Sequence, residues 1–212
     1  MFAINHAATA LIIKKIFRDT PLFWILISVQ FMEILWVILN YLGVEKTSTK
    51  DEVRYVGDIY LKHMPYSHSV STMAGMALLA WFLIGVVFQL PAVGLAVGLG
   101  ILSHLILDLI THDKDIALLP FAGSPKIGLG LYPRMPVQAF FLELGYGFLC
   151  WWIYGGGVPL LIAILLFNVA NMPLFFASMP VLKQRLAHRP RLITTMILIQ
   201  IVVTLVVVGL LS

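Results

Sequence analysis

The sequence predicts an all-α, polytopic membrane bundle with about six full spans and a short N-terminal membrane helix. Three observations predict it. Of 212 residues, 60% are hydrophobic and only 11% charged, against about 25% charged in soluble domains. The mean hydropathy is +0.97. Apolar runs approaching the ~20 residues needed to cross a bilayer recur along the chain.

The elements follow in order. Residues 2–17 form an apolar helix of about 24 Å at 1.5 Å per residue, slightly short of a crossing. Arg18-Asp19-Thr20-Pro21 turns the chain. Full spans are expected at 22–44, 69–89, 92–112, 136–154, 157–178 and 192–212. Pro91 and Gly155-Gly156-Gly157 mark tight turns between spans. No internal repeat stands out, and the length fits one integral membrane domain over 1–212, with a metal-site core at about 1–145 and C-terminal spans over 157–212.

Composition also excludes classes. Cys150 is the sole cysteine, so there is neither an internal disulfide nor a cysteine-based zinc site. The N-terminus lacks a cationic stretch before its apolar run, unlike a cleavable signal peptide. A pI near 9.3 suggests nucleic acid at first sight. The basic residues lie between apolar spans, however, so no nucleic-acid partner is expected and membrane lipids are. The long loops 45–68, 113–135 and 179–191 share one face and carry Lys46, Lys50, Arg54, Lys62, Lys114, Lys126, Arg134, Lys183, Arg185, Arg189 and Arg191. The opposite face has Lys14, Lys15 and Arg18. The positive-inside rule places the long loops in the cytoplasm of an inner or plasma membrane.

The chemistry concentrates in His104-Leu-Ile-Leu-Asp108-Leu-Ile-Thr-His112. Residues four apart share a helix face, so these three polar side chains form one stripe. Three acids fall within expected spans, Glu33, Asp108 and Glu143, with no Lys or Arg at their depth. A buried carboxylate without a cationic partner takes up a proton or binds a cation. Imidazole and carboxylate are the ligands a zinc-like ion takes. Folding residues 2–17 back along 22–44 brings His6 and Glu33 to similar depth, roughly 16 Å below the long-loop face, with His104 roughly 12 Å, Glu143 roughly 10 Å and Asp108 roughly 6 Å below it. His68 caps its span at the rim. All candidate ligands thus fall in one half of the membrane.

Simpler roles compete at several positions. His6 suits an interfacial histidine, and Glu33 a protonated acid bonded across helices. Ser67 or Ser69 suits a helix cap. His112 and Asp115 suit a loop-facing pair. His63 and His188 read as loop residues without a role. Trp24, Trp36, Trp151, Trp152 and Tyr132 read as interfacial belt or packing.

At this point the motifs resemble a known family. Asn5-His6-Ala-Ala, Pro65-Tyr66-Ser67-His68-Ser69 and Ser103-His104-x-x-x-Asp108 together are similar to the YdjM-like membrane-bound metal-dependent hydrolases. Asp115-Ile-Ala-Leu-Leu-Pro120-Phe121, Gly128-Leu-Gly130-Leu131-Tyr132 and Glu143 resemble one branch of it. The resemblance covers roughly residues 1–145 and implies a divalent-metal hydrolase with His6, His68, His104 and Asp108 as ligands. It also suggests distant kinship with zinc-dependent phospholipases and nucleases. Many relatives carry Asp-x-Asp-His after the first span, where this chain has Gln30-Phe-Met-Glu33. That departure leaves Glu33 to replace an aspartate ligand and puts a second metal in doubt.

Zinc is the expected metal, with manganese or magnesium as alternatives. Glu33 and Glu143 are the candidate catalytic carboxylates, as general base or as support for a ligating imidazole. His112, Asp115 and Ser67 are candidates for holding the ligands in place. An activated water under the cytoplasmic face suits a phosphoester or an amphiphile whose tail stays in the bilayer. Lys114, Lys126 and Arg134 offer charge for a phosphate, though ordinary positive-inside charge accounts for them as well. Two other classes remain open. One is a small proton- or ion-coupled transporter using the same buried acids and histidines. The other is a scaffold with a closed structural metal.

Overall fold

The computed structural model describes residues 1–176 and 184–212. Helix α1 (Ala3–Ile16) runs through the middle of the molecule. Its Ala7, Ala8 and Ala10 are small enough to admit close neighbours, and all three are fully buried with Leu11. It packs on α2 (Leu22–Tyr41), α4 (Pro91–Thr111), α6 (Pro136–Tyr154), α7 (Val158–Asn171) and α8 (Pro190–Leu211).

Helix α3 (Val70–Ala80) starts where the Ser69 hydroxyl accepts from the Thr72 backbone N–H. It continues into a π-helical turn at Trp81–Val87 and packs on α4. The α2–α4 contact is close at Gly100, where an added Cβ would lie 1.9 Å from the Ser28 hydroxyl oxygen. Only glycine lets α4 approach there, one turn before His104.

Among the described residues, four segments are long and apolar enough to cross a membrane: Leu22–Tyr41, Val70–Val87, Pro91–Thr111 and Pro190–Leu211. The expected six full spans are therefore not all reproduced. Helix α6 has 19 residues, but Glu143, Gln138 and its glycines and tyrosines dilute its hydropathy. The run expected at 157–178 gives a 14-residue α7, after which Pro173 lies in a 3₁₀ turn at Met172–Leu174. The end of that run and Lys183 lie outside the described residues.

The molecule is polar within and apolar without. Asn5, His6, Gln30, His104, Asp108, Glu143 and Asn168 are buried, while Leu78, Phe82, Ile106, Phe141, Trp152 and Leu210 are exposed. With no water to compete, such interior polar groups must satisfy one another or a ligand.

The all-α expectation holds for the bundle, but its loops carry small sheets. Strand β1 (Lys46–Thr49) pairs antiparallel with β2 (Ile59–His63), and β3 (Ile116–Ala117) with β4 (Lys126–Ile127). Between β1 and β2, Asp58 accepts from the Arg54 and Tyr55 backbone N–H groups (2.8 and 2.9 Å) and from Lys50 Nζ (2.6 Å). Partial burial raises its pKa, but Lys50 and the two N–H donors outweigh that and hold the carboxyl below its ordinary value. The one-turn helix α5 (Leu131–Arg134) leads into α6.

Candidate metal centre

Four donor atoms converge between α2, α4 and the turn before α3. Asp108 Oδ2 lies 3.1 Å from His104 Nε2 and 3.4 Å from His68 Nε2. Glu33 Oε2 lies 3.3 Å from His68 Nε2 and 3.6 Å from His104 Nε2. Ligands held about 2.0–2.2 Å from one ion at tetrahedral angles are about 3.3–3.6 Å apart. Three of the four observed edges fall in that range and the fourth, 3.1 Å, lies just below it, so the spacing suits one ion. Among the described residues, Glu33, His68, His104 and Asp108 are the group able to hold one.

The orientation of both imidazoles supports that fit. His104 Nδ1 is 2.9 Å from the Val29 carbonyl, which only accepts, so Nδ1 carries the proton. Nε2 is thus the nitrogen left to coordinate, and it is buried without a hydrogen-bond partner. Metal-ligating histidines are usually fixed this way through the far ring nitrogen.

His68 is fixed by a longer chain of partners. Its Nδ1 is 2.7 Å from Ser67 Oγ, and that hydroxyl donates to Glu45 Oε2 at 2.5 Å. Glu45 Oε1 accepts from the Tyr66 and Ser67 backbone N–H groups, both at 2.8 Å. Glu45 is only 1% exposed. It is held there because the Val44 and Glu45 N–H groups fold back onto the Leu39 carbonyl at the end of α2. The sequence reading missed Glu45. An acid in a loop carries no periodic signal, and only the turn after α2 brings it under Ser67.

The other expected residues stand around this ring. His6 stacks on His104 with ring centroids 3.9 Å apart, and its Nε2 is 3.3 Å from Asp108 Oδ1. The ring of four thus includes Glu33 and leaves His6 against its wall. Asp108 Oδ1 also accepts from the Met1 amino group at 2.6 Å. His112 Nε2 is 3.8 Å from Asp108 Oδ1, and its Nδ1 is 3.5 Å from Asp115 Oδ2. Those two residues are a pair, and both face the cavity beside the ring. Ser67 supports His68, while Ser69 supplies the helix cap.

Glu143 lies outside the ring. It accepts from the Tyr132 hydroxyl and from Asn5 Nδ2 at 2.6 Å. Burial, and then the Glu143 carboxylate, push the Tyr132 phenol well above its ordinary pKa, so it stays a donor. Tyr132 and Trp36 are accordingly buried walls and not belt residues, whereas Trp24 and Trp152 are exposed as a belt requires.

A cavity of about 150 Å³ adjoins the ring and is lined at that end by His6, Glu33, His68 and His112. Its other walls come from Trp36 of α2, the Val56–Tyr60 turn and one face of α8. Lys114, Lys126 and Arg134 do not line it. Arg134 lies 4.0 Å from Asp113 instead.

Fold and site together define an integral membrane protein with a buried group of two histidines and two carboxylates beside a cavity. The family model for the YdjM inner membrane protein matches residues 18–207. The chain belongs to that family and is an integral inner membrane protein. The match runs through the last helices, well past the motifs near residue 145, and begins after His6. No curated protein and no solved structure matches the chain.

Proposed function

We propose that this protein is a membrane-bound, metal-dependent hydrolase acting on an amphiphilic substrate, with phosphoester cleavage the preferred reaction. The observation that carries the reading is the ring of Glu33, His68, His104 and Asp108, spaced for one ion and open to a cavity. Two imidazoles and two carboxylates suit zinc, with manganese as the alternative at a more oxygen-rich site. A bound divalent ion would supply Lewis acidity and lower the pKa of water to about 7.

The chain's own groups do the rest. Glu33 is the most exposed of the four, with 20% of its side chain accessible, and it lines the cavity. With the ion held by His68, His104 and Asp108, the corner beside Glu33 would be left for water, and Glu33 is placed to take one proton from that water as its oxygen bonds to phosphorus. His112, steadied by Asp115, is placed to give a proton to the alcohol oxygen as the bond from phosphorus to that oxygen breaks. Proton exchange with solvent at the cavity then resets both groups. Glu143 acts at one remove, orienting the Tyr132 hydroxyl in the cavity wall.

The test is metal content. Protein purified in detergent should hold about one divalent ion per chain by mass spectrometry, and His104→Ala and Asp108→Ala should each lose it. Stoichiometric metal in both variants would overturn the site.

A further inference from the structure

The cavity beside the metal group is divided by chemistry. Its polar end is formed by His6, Glu33, His68 and His112, with Asp113 and Asp115 at the rim. Its apolar end is formed by Trp36, Leu174, Leu186 and a stripe on α8. That stripe is Ile193, Met196, Ile197 and Gln200, spaced i, i+3, i+4 and i+7, so it is one helix face about 10 Å long. Helix α8 is itself long and apolar enough to cross a membrane, which sets this slot at bilayer depth. Met196 lines the cavity yet is 39% exposed, so the slot meets the outer surface there.

Size and charge narrow the occupant. About 150 Å³ is the size of a cavity that holds one benzene, or roughly six carbons. The head takes part of that space at the polar end, so the rest admits the first few carbons of one alkyl chain and not two chains side by side. An alkyl chain already solvated by lipid gains little apolar transfer by entering, so shape decides what is accepted. Among the described residues no Lys or Arg lines the cavity, while Glu33, Asp113 and Asp115 do. A dianionic head would meet three carboxylates, offset by the ion, the imidazoles and a Met1 amino group already paired with Asp108. A head with one negative charge and a cationic end would meet the ion at one side and Asp113, Asp115 and the Tyr60 ring at the other.

We infer that the substrate is a single-chain, zwitterionic amphiphile whose first carbons lie along Ile193, Met196 and Ile197 of α8 while its head faces Glu33, His68 and His112. This rests on the hydrolase reading for the head and on the slot alone for the chain. Two-chain phospholipids and alkyl phosphomonoesters are excluded as good ligands.

The probe is hexadecylphosphocholine bearing a diazirine at the sixth chain carbon. It is photolysed with the full chain in nanodiscs of palmitoyl-oleoyl phosphatidylcholine. Adducts should map to Ile193–Ile197 or Trp36 despite the excess two-chain lipid. Unlabelled hexadecylphosphocholine should compete at least tenfold better than hexadecyl phosphate. Ile197→Trp, which fills the slot, should cut labelling at least tenfold with metal content unchanged. Adducts confined to the outer face, for example at Val203 or Leu210, overturn the inference. So does unchanged labelling in Ile197→Trp, or equal competition by the monoester. If the protein as purified holds no divalent metal yet labels along α8, the hydrolase reading falls and the chain slot stands.

Discussion

Glu45 and Asp108 are both about 1% exposed, yet they sit in opposite electrostatic settings. Glu45 is surrounded by donors alone: two backbone N–H groups and one hydroxyl. Its charge is neutralised locally by the protein, and nothing more is needed. Asp108 Oδ2 faces the Nε2 atoms of His68 and His104, whose Nδ1 atoms already have partners. Carboxylate oxygens turned toward imidazole nitrogens are matched either by protons on those nitrogens or by a cation between them. The difference separates a carboxylate that holds a loop from one placed in a group able to hold an ion. Asp58 repeats the Glu45 pattern outside the bundle, with Lys50 and two N–H donors.

The largest effect should come at Asp108. Asp108→Asn keeps the shape and removes the charge, so bound metal should fall from about one per chain to none. Metal retained in that variant would erase the contrast with Glu45. An intermediate effect is expected for Glu45→Gln, because partners behind a ligating histidine are typically worth about 10–100-fold in metal affinity. Competition with a chelator should show that loss, and Glu45→Asp should recover part of it. A variant that only loosened the loop would lower thermal stability without this pattern of rescue.

Acid should act through the same ring. His68 and His104 must lose a proton from Nε2 to coordinate, so metal affinity falls as pH drops, by up to about tenfold per unit for each imidazole that protonates. Equilibrium dialysis from neutral to acid pH reads this directly, and a flat profile would mean the imidazoles are not ligands. The smallest effect is expected at Asp58. Asp58→Asn should cost about 1 kcal/mol of stability, since Lys50 is well exposed and screened, and should leave metal content alone. Its folded pKa lies below the ordinary 3.8. The wild-type contribution is therefore full above that value and lost as pH falls through the lower folded one.

Much of the site was legible because helices and motifs report on it. The four-residue spacing put His104 and Asp108 on one face, and the absence of intramembrane Lys or Arg pointed to a cation. Depth counting brought His6 and Glu33 to one level, and both do reach His104. It could not say which of them completes the ring, because that depends on rotation of α1 and α2 about their axes. Glu45 and Tyr132 escaped because their roles come from loop turns and not from periodicity. The span count was blurred at α6 and α7, where polar residues and Pro173 interrupt otherwise apolar runs.

The central place of α1 has a consequence for biosynthesis. Its neighbours α6, α7 and α8 lie more than a hundred residues further along the chain. During translation α1 is made before these helices, yet it has no complete seat until α8 has entered the bilayer. His6 and the Met1 amino group reach Asp108 from α1 and from just ahead of it, so the surroundings of Asp108 are complete only once α1 is seated.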